Sequence, residues 1–153
     1  MQKDIEHTND LDFPKTGLIL KIISFYFIFL FVYTGFSKLM DNQSLFTALR
    51  NAPLFLKTSL ATFLSWLVPI TEIILAIMLS IKKTSRYGWT GTIILLTIFT
   101  LYTGWIVLVS PYEPCTCGGL MSLLSWKQHL FFNLSSLALA IWAYRLNTIP
   151  NKT

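Results

Sequence analysis

Charge is scarce in this chain: 12% of its 153 residues are Asp, Glu, Lys or Arg, and only 7 are acidic, against 54% hydrophobic and 15% aromatic. Soluble domains carry about twice that share of charge, so a water-soluble globular fold is a poor reading. A mean hydropathy of +0.59 points instead to a membrane protein. Four spans of roughly 20 residues with their connections use nearly all of the length, which leaves no room for a separate soluble domain. Phosphate-binding glycine loops, nucleophile elbows and carboxylate dyads are missing, as are internal repeats, low-complexity tracts and methionine-rich segments. Cysteine is reduced to two residues. The net charge of +5 calls for no nucleic acid, because basic residues beside the anionic inner leaflet account for it.

What is present organises into spans. Residues 1–16 (MQKDIEHTNDLDFPKT) read as a short flexible tail. No small-residue cleavage site follows the apolar run behind it, so that run reads as a retained span rather than a signal peptide. Apolar stretches at about 18–39, 63–81, 87–110 and 126–146 predict an all-α, integral membrane four-helix bundle over 17–147, with a second short tail at 148–153. In the first connection, DNQSLFTALRNAPLFLKTS, the spacing of Leu45, Phe46, Leu49 and Phe55 predicts a short amphipathic helix lying at the interface, stopped by Pro53. Of the 12 Lys and Arg, Lys3, Lys15, Lys21, Lys82, Lys83, Arg86, Arg145 and Lys152 fall on one side. Lys38, Arg50, Lys57 and Lys127 fall on the other. The positive-inside rule then puts both termini in the cytoplasm and the 1–2 and 3–4 connections outside.

That orientation gives PCTCGG, residues 114–119, an oxidising compartment. Cysteines two apart on an extended chain have Cα atoms roughly 6.5–7 Å apart, at the edge of the usual disulfide range of about 4.4–6.8 Å. A Cys115–Cys117 bond therefore requires a bend at Thr116, and its strain makes it labile and oxidising. A ring this small constrains the unfolded chain very little, so it serves poorly as a staple. Gly118 and Gly119 let the backbone turn and leave the sulfurs uncovered. In the following SWKQH, Ser125 and Gln128 have capping-box spacing and predict a helix start at Trp126. His129 then occupies the first turn, on one face with Trp126 and Asn133. Partial positive charge at a helix start favours thiolate, and imidazole can carry its proton. The alternative role for His129 is an interfacial ring beside Trp126.

Glu72 falls near the middle of span 2, in SWLVPITEIILAI. An ionised carboxylate there costs at least about 2.5–3.5 kcal/mol on insertion scales, so it must face the bundle and be paired, or stay protonated. It reads as a buried polar clasp in preference to a proton or ligand site, since a lone carboxylate makes no relay. Pro69 frees a backbone carbonyl for a neighbour. Lys38 reads as a snorkelling anchor, with about 20 Å of helix between its depth and that of Glu72. Gly88, Gly91, Thr100 and Gly104 suit close helix packing. Trp66, Trp89, Trp105 and Trp126 fit aromatic belts, with Trp66 and Trp105 also suited to deeper sites. Cu(I) on Cys115, Cys117 and His129 is a further alternative. A zinc site is disfavoured, because the loop offers three ligands and four are needed.

YTGFSKLMD, SWLVPITEIILAI, PCTCGG and SWKQHLFFN together resemble the DoxX-like membrane proteins, and within them the MauE branch named for methylamine utilisation. The likeness covers Lys21 to Trp142. It implies a four-helix bundle in a bacterial inner membrane, linked to maturation of a disulfide-rich periplasmic dehydrogenase subunit in methylamine metabolism. It also implies that Cys115 and Cys117 are a redox pair, that Gly118, Gly119, Trp126 and His129 shape their loop, and that Gly35, Lys38 and Glu72 are bundle positions, to which Trp66 and Pro69 of the quoted motif add. The disulfide-generating four-helix quinone enzymes are also similar, but they use two cysteine pairs, which leaves a quinone a lesser expectation. The resulting picture is a membrane thiol-disulfide redox protein exchanging with a thioredoxin-like or secreted client. The competing one is a non-catalytic subunit that anchors a larger membrane complex.

Overall fold

The computed structural model describes residues 13–51, 57–109 and 125–148. They form five helices, with no strand among the described residues: α1 (Phe13–Met40), α2 (Asn42–Arg50), α3 (Thr58–Ser80), α4 (Ser85–Val109) and α5 (Trp126–Thr148). α1, α3 and α4 are long and apolar enough to cross a membrane, as expected for an integral membrane helical bundle. α5 has comparable length, 23 residues, and a more polar sequence. Part of that polarity sits at its ends, in Lys127, Gln128, His129 and Arg145, and part is buried, where Asn133 and Ser136 face the bundle alongside Ala140 and Ala143. α1 begins at Phe13, inside the stretch read as a tail, and α3 begins five residues before Phe63.

The four long helices form a closed ring in which α1 packs on α3 and α5, and α4 packs on the same two. Phe27 of α1 reaches across to Trp89 of α4, ring edge to face at 5.4 Å. Trp89 is fully buried there, which corrects its expected place in an aromatic belt. It lies beside Gly88, where a Cβ would stand 3.1 Å from the Leu79 backbone nitrogen, so α4 approaches α3 closely enough to enclose the indole. Gly91 makes the same kind of approach to Leu75, whereas Gly104 has only ordinary contact with Leu130. Trp66 and Trp105 are half exposed on the outside of the ring. The inward face of α3 runs through Ala61, Ser65, Pro69, Glu72 and Ala76, and Trp66 lies off that stripe, so Trp66 is not an interior bundle position. Threonine hydroxyls along the spans, such as Thr71 and Thr97, donate to the carbonyl four residues back, the partner available where water is absent. At the α3–α4 turn, the Thr84 hydroxyl donates to Met78 O at 3.0 Å and so satisfies a carbonyl at the end of α3.

α2 follows α1 after a single residue, Asp41, whose carboxylate accepts from the Ser44 amide. It packs along the first half of α3, with Leu45 buried. Pro69 explains how it is held. Proline lacks an N–H, so the carbonyl four residues earlier, Ser65 O, loses its helical partner. Asn42 Nδ2 donates to that oxygen at 2.7 Å, and Ser65 Oγ returns a bond to Asn42 Oδ1 at 3.3 Å. Asn42→Ala should therefore lower stability by about 1–3 kcal/mol, the penalty of an unmet buried carbonyl. Chemical unfolding in mild detergent would measure it, and a wild-type midpoint would show that the carbonyl needs no captor.

Candidate functional site

The Lys38–Glu72 pair, Asn42, Ser65 and His129 lie toward one end of the ring, where α1 and α4 finish, α3 and α5 begin, and α2 sits. Segment 110–124 joins α4 to α5 at this end, so Cys115, Cys117, Gly118 and Gly119 lie outside the described residues. Among the described residues, no group of three His, Cys, Asp or Glu is gathered to hold a metal.

The helix start next to that segment forms as its sequence predicts. Ser125 N–H donates to Gln128 Oε1 at 2.9 Å and Gln128 N–H to Ser125 Oγ at 3.4 Å, the reciprocal capping box. Trp126 and His129 stack in the first turn with ring centroids 6.2 Å apart. One turn deeper, Asn133 Nδ2 donates to Thr103 Oγ1 of α4 at 3.1 Å, both residues being buried. Deeper again, Ser136 meets the Tyr26 hydroxyl of α1 at 3.4 Å. His129, Asn133 and Ser136 thus form a polar seam along α5, of which the sequence showed the first half.

The ring's other polar centre overturns one expectation. Lys38 Nζ donates to Glu72 Oε1 in a salt bridge, so Lys38 is the partner of Glu72 and not a snorkelling anchor. The depth argument failed because it set the predicted ends of spans 1 and 2 level. In the structure α3 starts earlier and α1 stops short beside its middle. Gly35 lies against Pro69, Glu72 and Ile73, which brings Lys38 within about one helical turn of Glu72 along the bundle, roughly 5.4 Å of rise. The clasp reading of Glu72 gains its partner by this stagger.

Around the pair the surroundings are sparse in hydrogen bonds. The Lys38 ammonium stands 5.3 Å from the centre of the Phe99 ring on α4, a cation–π contact. Its side chain is 16% exposed and that of Glu72 2%. Glu72 Oε2 is buried with no hydrogen-bond partner. Thr34, on the same face as Lys38, donates its own hydroxyl to Leu30 O at 2.9 Å. The site therefore holds a fixed ammonium with N–H bonds to spare, next to a carboxylate oxygen with none made.

The family model for methylamine utilisation protein MauE matches residues 16–146. No curated protein and no solved structure matches the chain.

Proposed function

The chain belongs to the MauE family of methylamine utilisation proteins, and from that premise we propose that it carries out thiol-disulfide exchange through its Cys-x-Cys loop on the non-cytosolic side of a bacterial inner membrane. The clients on this reading are disulfide-containing proteins in maturation, or a thioredoxin-like partner. α5 serves as the fourth span and both termini are cytoplasmic, as the distribution of Lys and Arg supports. One observation carries the reading: the chain's only two cysteines stand one residue apart, in the connection that leads into a capped helix start bearing His129. A loop so small has little value as a staple and much as a labile, exchangeable bond.

In the exchange, the thiolate of one cysteine attacks a client disulfide. One client sulfur leaves as thiolate, and the second loop cysteine resolves the mixed disulfide by attacking the first. His129 serves as the nearby proton carrier. The reaction moves one disulfide from client to loop or, run in reverse, from loop to client, and no electron is left over.

The intermediate is the test. With Cys117→Ser, the resolving step is removed when Cys115 is the attacking sulfur, and with Cys115→Ser in the opposite case. In native membranes one of the two variants should accumulate a mixed disulfide with an extracytoplasmic protein, visible as a reductant-sensitive shift on non-reducing gels. Absence of any adduct from both variants would refute the exchange.

A further inference from the structure

We propose that the outward face of α1 binds a phospholipid whose headgroup ends in a primary ammonium, with an acyl chain in a groove along the helix and the ammonium on the Asp41 carboxylate. The groove has a volume of about 490 Å³ and is lined by Phe29, Val32, Tyr33, Phe36 and Met40, with Ser37 and Asp41 as its polar members. The Phe29 and Tyr33 rings stack with centroids 6.3 Å apart and present one continuous aromatic surface. Lys38 is turned the other way, inward to Glu72. From Phe29 to Met40 the helix rises about 16 Å, close to half of a hydrocarbon core roughly 30 Å thick. The groove therefore has the length of one leaflet.

What fills it follows from where it lies. The face belongs to a helix long and apolar enough to cross a membrane, Gly17–Met40, and Phe29, Phe36 and Met40 are exposed on it. Around a span such a face meets hydrocarbon, and a furrow left empty would forfeit the dispersion contacts of its walls. The polar end narrows the choice. Asp41 comes directly after Met40, where the apolar run stops, and of the two described carboxylates it is the exposed one. It accepts one bond, from the Ser44 amide, of the roughly four that a carboxylate can take. No Lys or Arg pairs with it among the described residues.

An uncompensated carboxylate at the end of an apolar groove selects an amphiphile with a cation at its polar end. A headgroup of net negative charge is repelled there. A trimethylammonium group brings the charge and no N–H donor, whereas a primary ammonium brings the charge and three donors, enough for a charge-assisted hydrogen bond to Asp41. A second copy of the chain fits less well. Two α1 faces related by a two-fold axis along the membrane normal would bring the two Asp41 carboxylates to one level, where like charges oppose. The site uses no cysteine and stands apart from the exchange reading.

The test is native mass spectrometry of the full chain in mild detergent, titrated with a phosphatidylethanolamine and with the phosphatidylcholine and phosphatidylglycerol of identical acyl chains. The expected result is saturable binding of the ethanolamine lipid, about tenfold tighter than the choline lipid, the value of one charge-assisted hydrogen bond, with the glycerol lipid weakest. Asp41→Asn removes the charge and keeps a residue that caps α2 equally well, and it should bring the ethanolamine and choline lipids within about twofold of each other. Val32→Trp, which fills the groove, should weaken all three lipids together and leave their order unchanged. Equal affinities for the ethanolamine and choline lipids in the unaltered protein, or a preference that survives Asp41→Asn, would overturn the proposal. So would a disulfide between two copies formed by Val32→Cys in native membranes, in a Cys115→Ser/Cys117→Ser background, since the groove would then be covered by the chain itself. The lipid comparison on the unaltered protein stays decisive if a variant does not fold.

Discussion

Lys38→Met is expected to destabilise the protein by about 3–5 kcal/mol, because it strands a buried carboxylate that has lost its ionic partner among the described residues. Glu72 has a side-chain exposure of 2% and already leaves Oε2 unmet, so removing the ammonium takes away the direct donor to Oε1. Burial raises the cost of leaving the carboxylate ionised without a counter-charge. The companion double variant, Lys38→Met with Glu72→Leu, should recover most of that loss, because well-packed apolar residues replace buried ion pairs at little or no cost. Denaturant unfolding in detergent, run on all three proteins, reads both effects. A wild-type midpoint for Lys38→Met would show that Glu72 does not depend on Lys38. A stable double variant carries a second consequence. If the bundle folds as well without the pair, stability does not explain why two ionisable groups stand inside it.

The bundle was legible because its signals are local. Length and apolarity define α1, α3 and α4, and the Ser125–Gln128 spacing located the start of α5 at Trp126. The value of Pro69 was also readable in part: a proline in a helix frees the carbonyl four residues earlier, although nothing in the sequence says that Asn42 takes it. The pairing of Lys38 with Glu72 was not readable, for it depends on how far α1 slides along α3. That offset comes from the close approach at Gly35 and from α2 occupying the flank of α3 beyond the end of α1. Trp89 was misjudged for a similar reason. A tryptophan near a predicted span end fits a belt by composition, and only the tight α3–α4 approach at Gly88 and Gly91 shows that its ring is inside. Asn133 and Ser136 show the reverse case. They make α5 look less like a span, yet both are turned inward and bonded, to Thr103 and to Tyr26.

Gly35→Leu should be the second severe substitution, and it tests whether the stagger of α1 along α3 creates the polar site. An added Cβ at Gly35 would stand 3.1 Å from Ile73 Cγ1, 3.2 Å from Pro69 O and 3.4 Å from Glu72 Cβ. A single methyl group is tight but tolerable. Gly35→Ala gains about 0.8–1 kcal/mol of helix propensity against a small shift of Ile73, and its net effect should be slight. Leucine places three more carbons where α3 already stands, one neighbour being a backbone oxygen that cannot rotate away. Overpacking of this kind costs about 1–3 kcal/mol by itself. Here it also pushes α1 from α3 one turn before Lys38, so part of the ion-pair loss adds to it, and the two changes should be non-additive when Gly35→Leu is combined with Lys38→Met. Gly17, with nothing within 4 Å of its added Cβ, is the control at which leucine should be harmless. Full additivity of Gly35→Leu with Lys38→Met would mean that the glycine contact and the ion pair are independent, and that the close approach of α1 to α3 does not set the reach of Lys38.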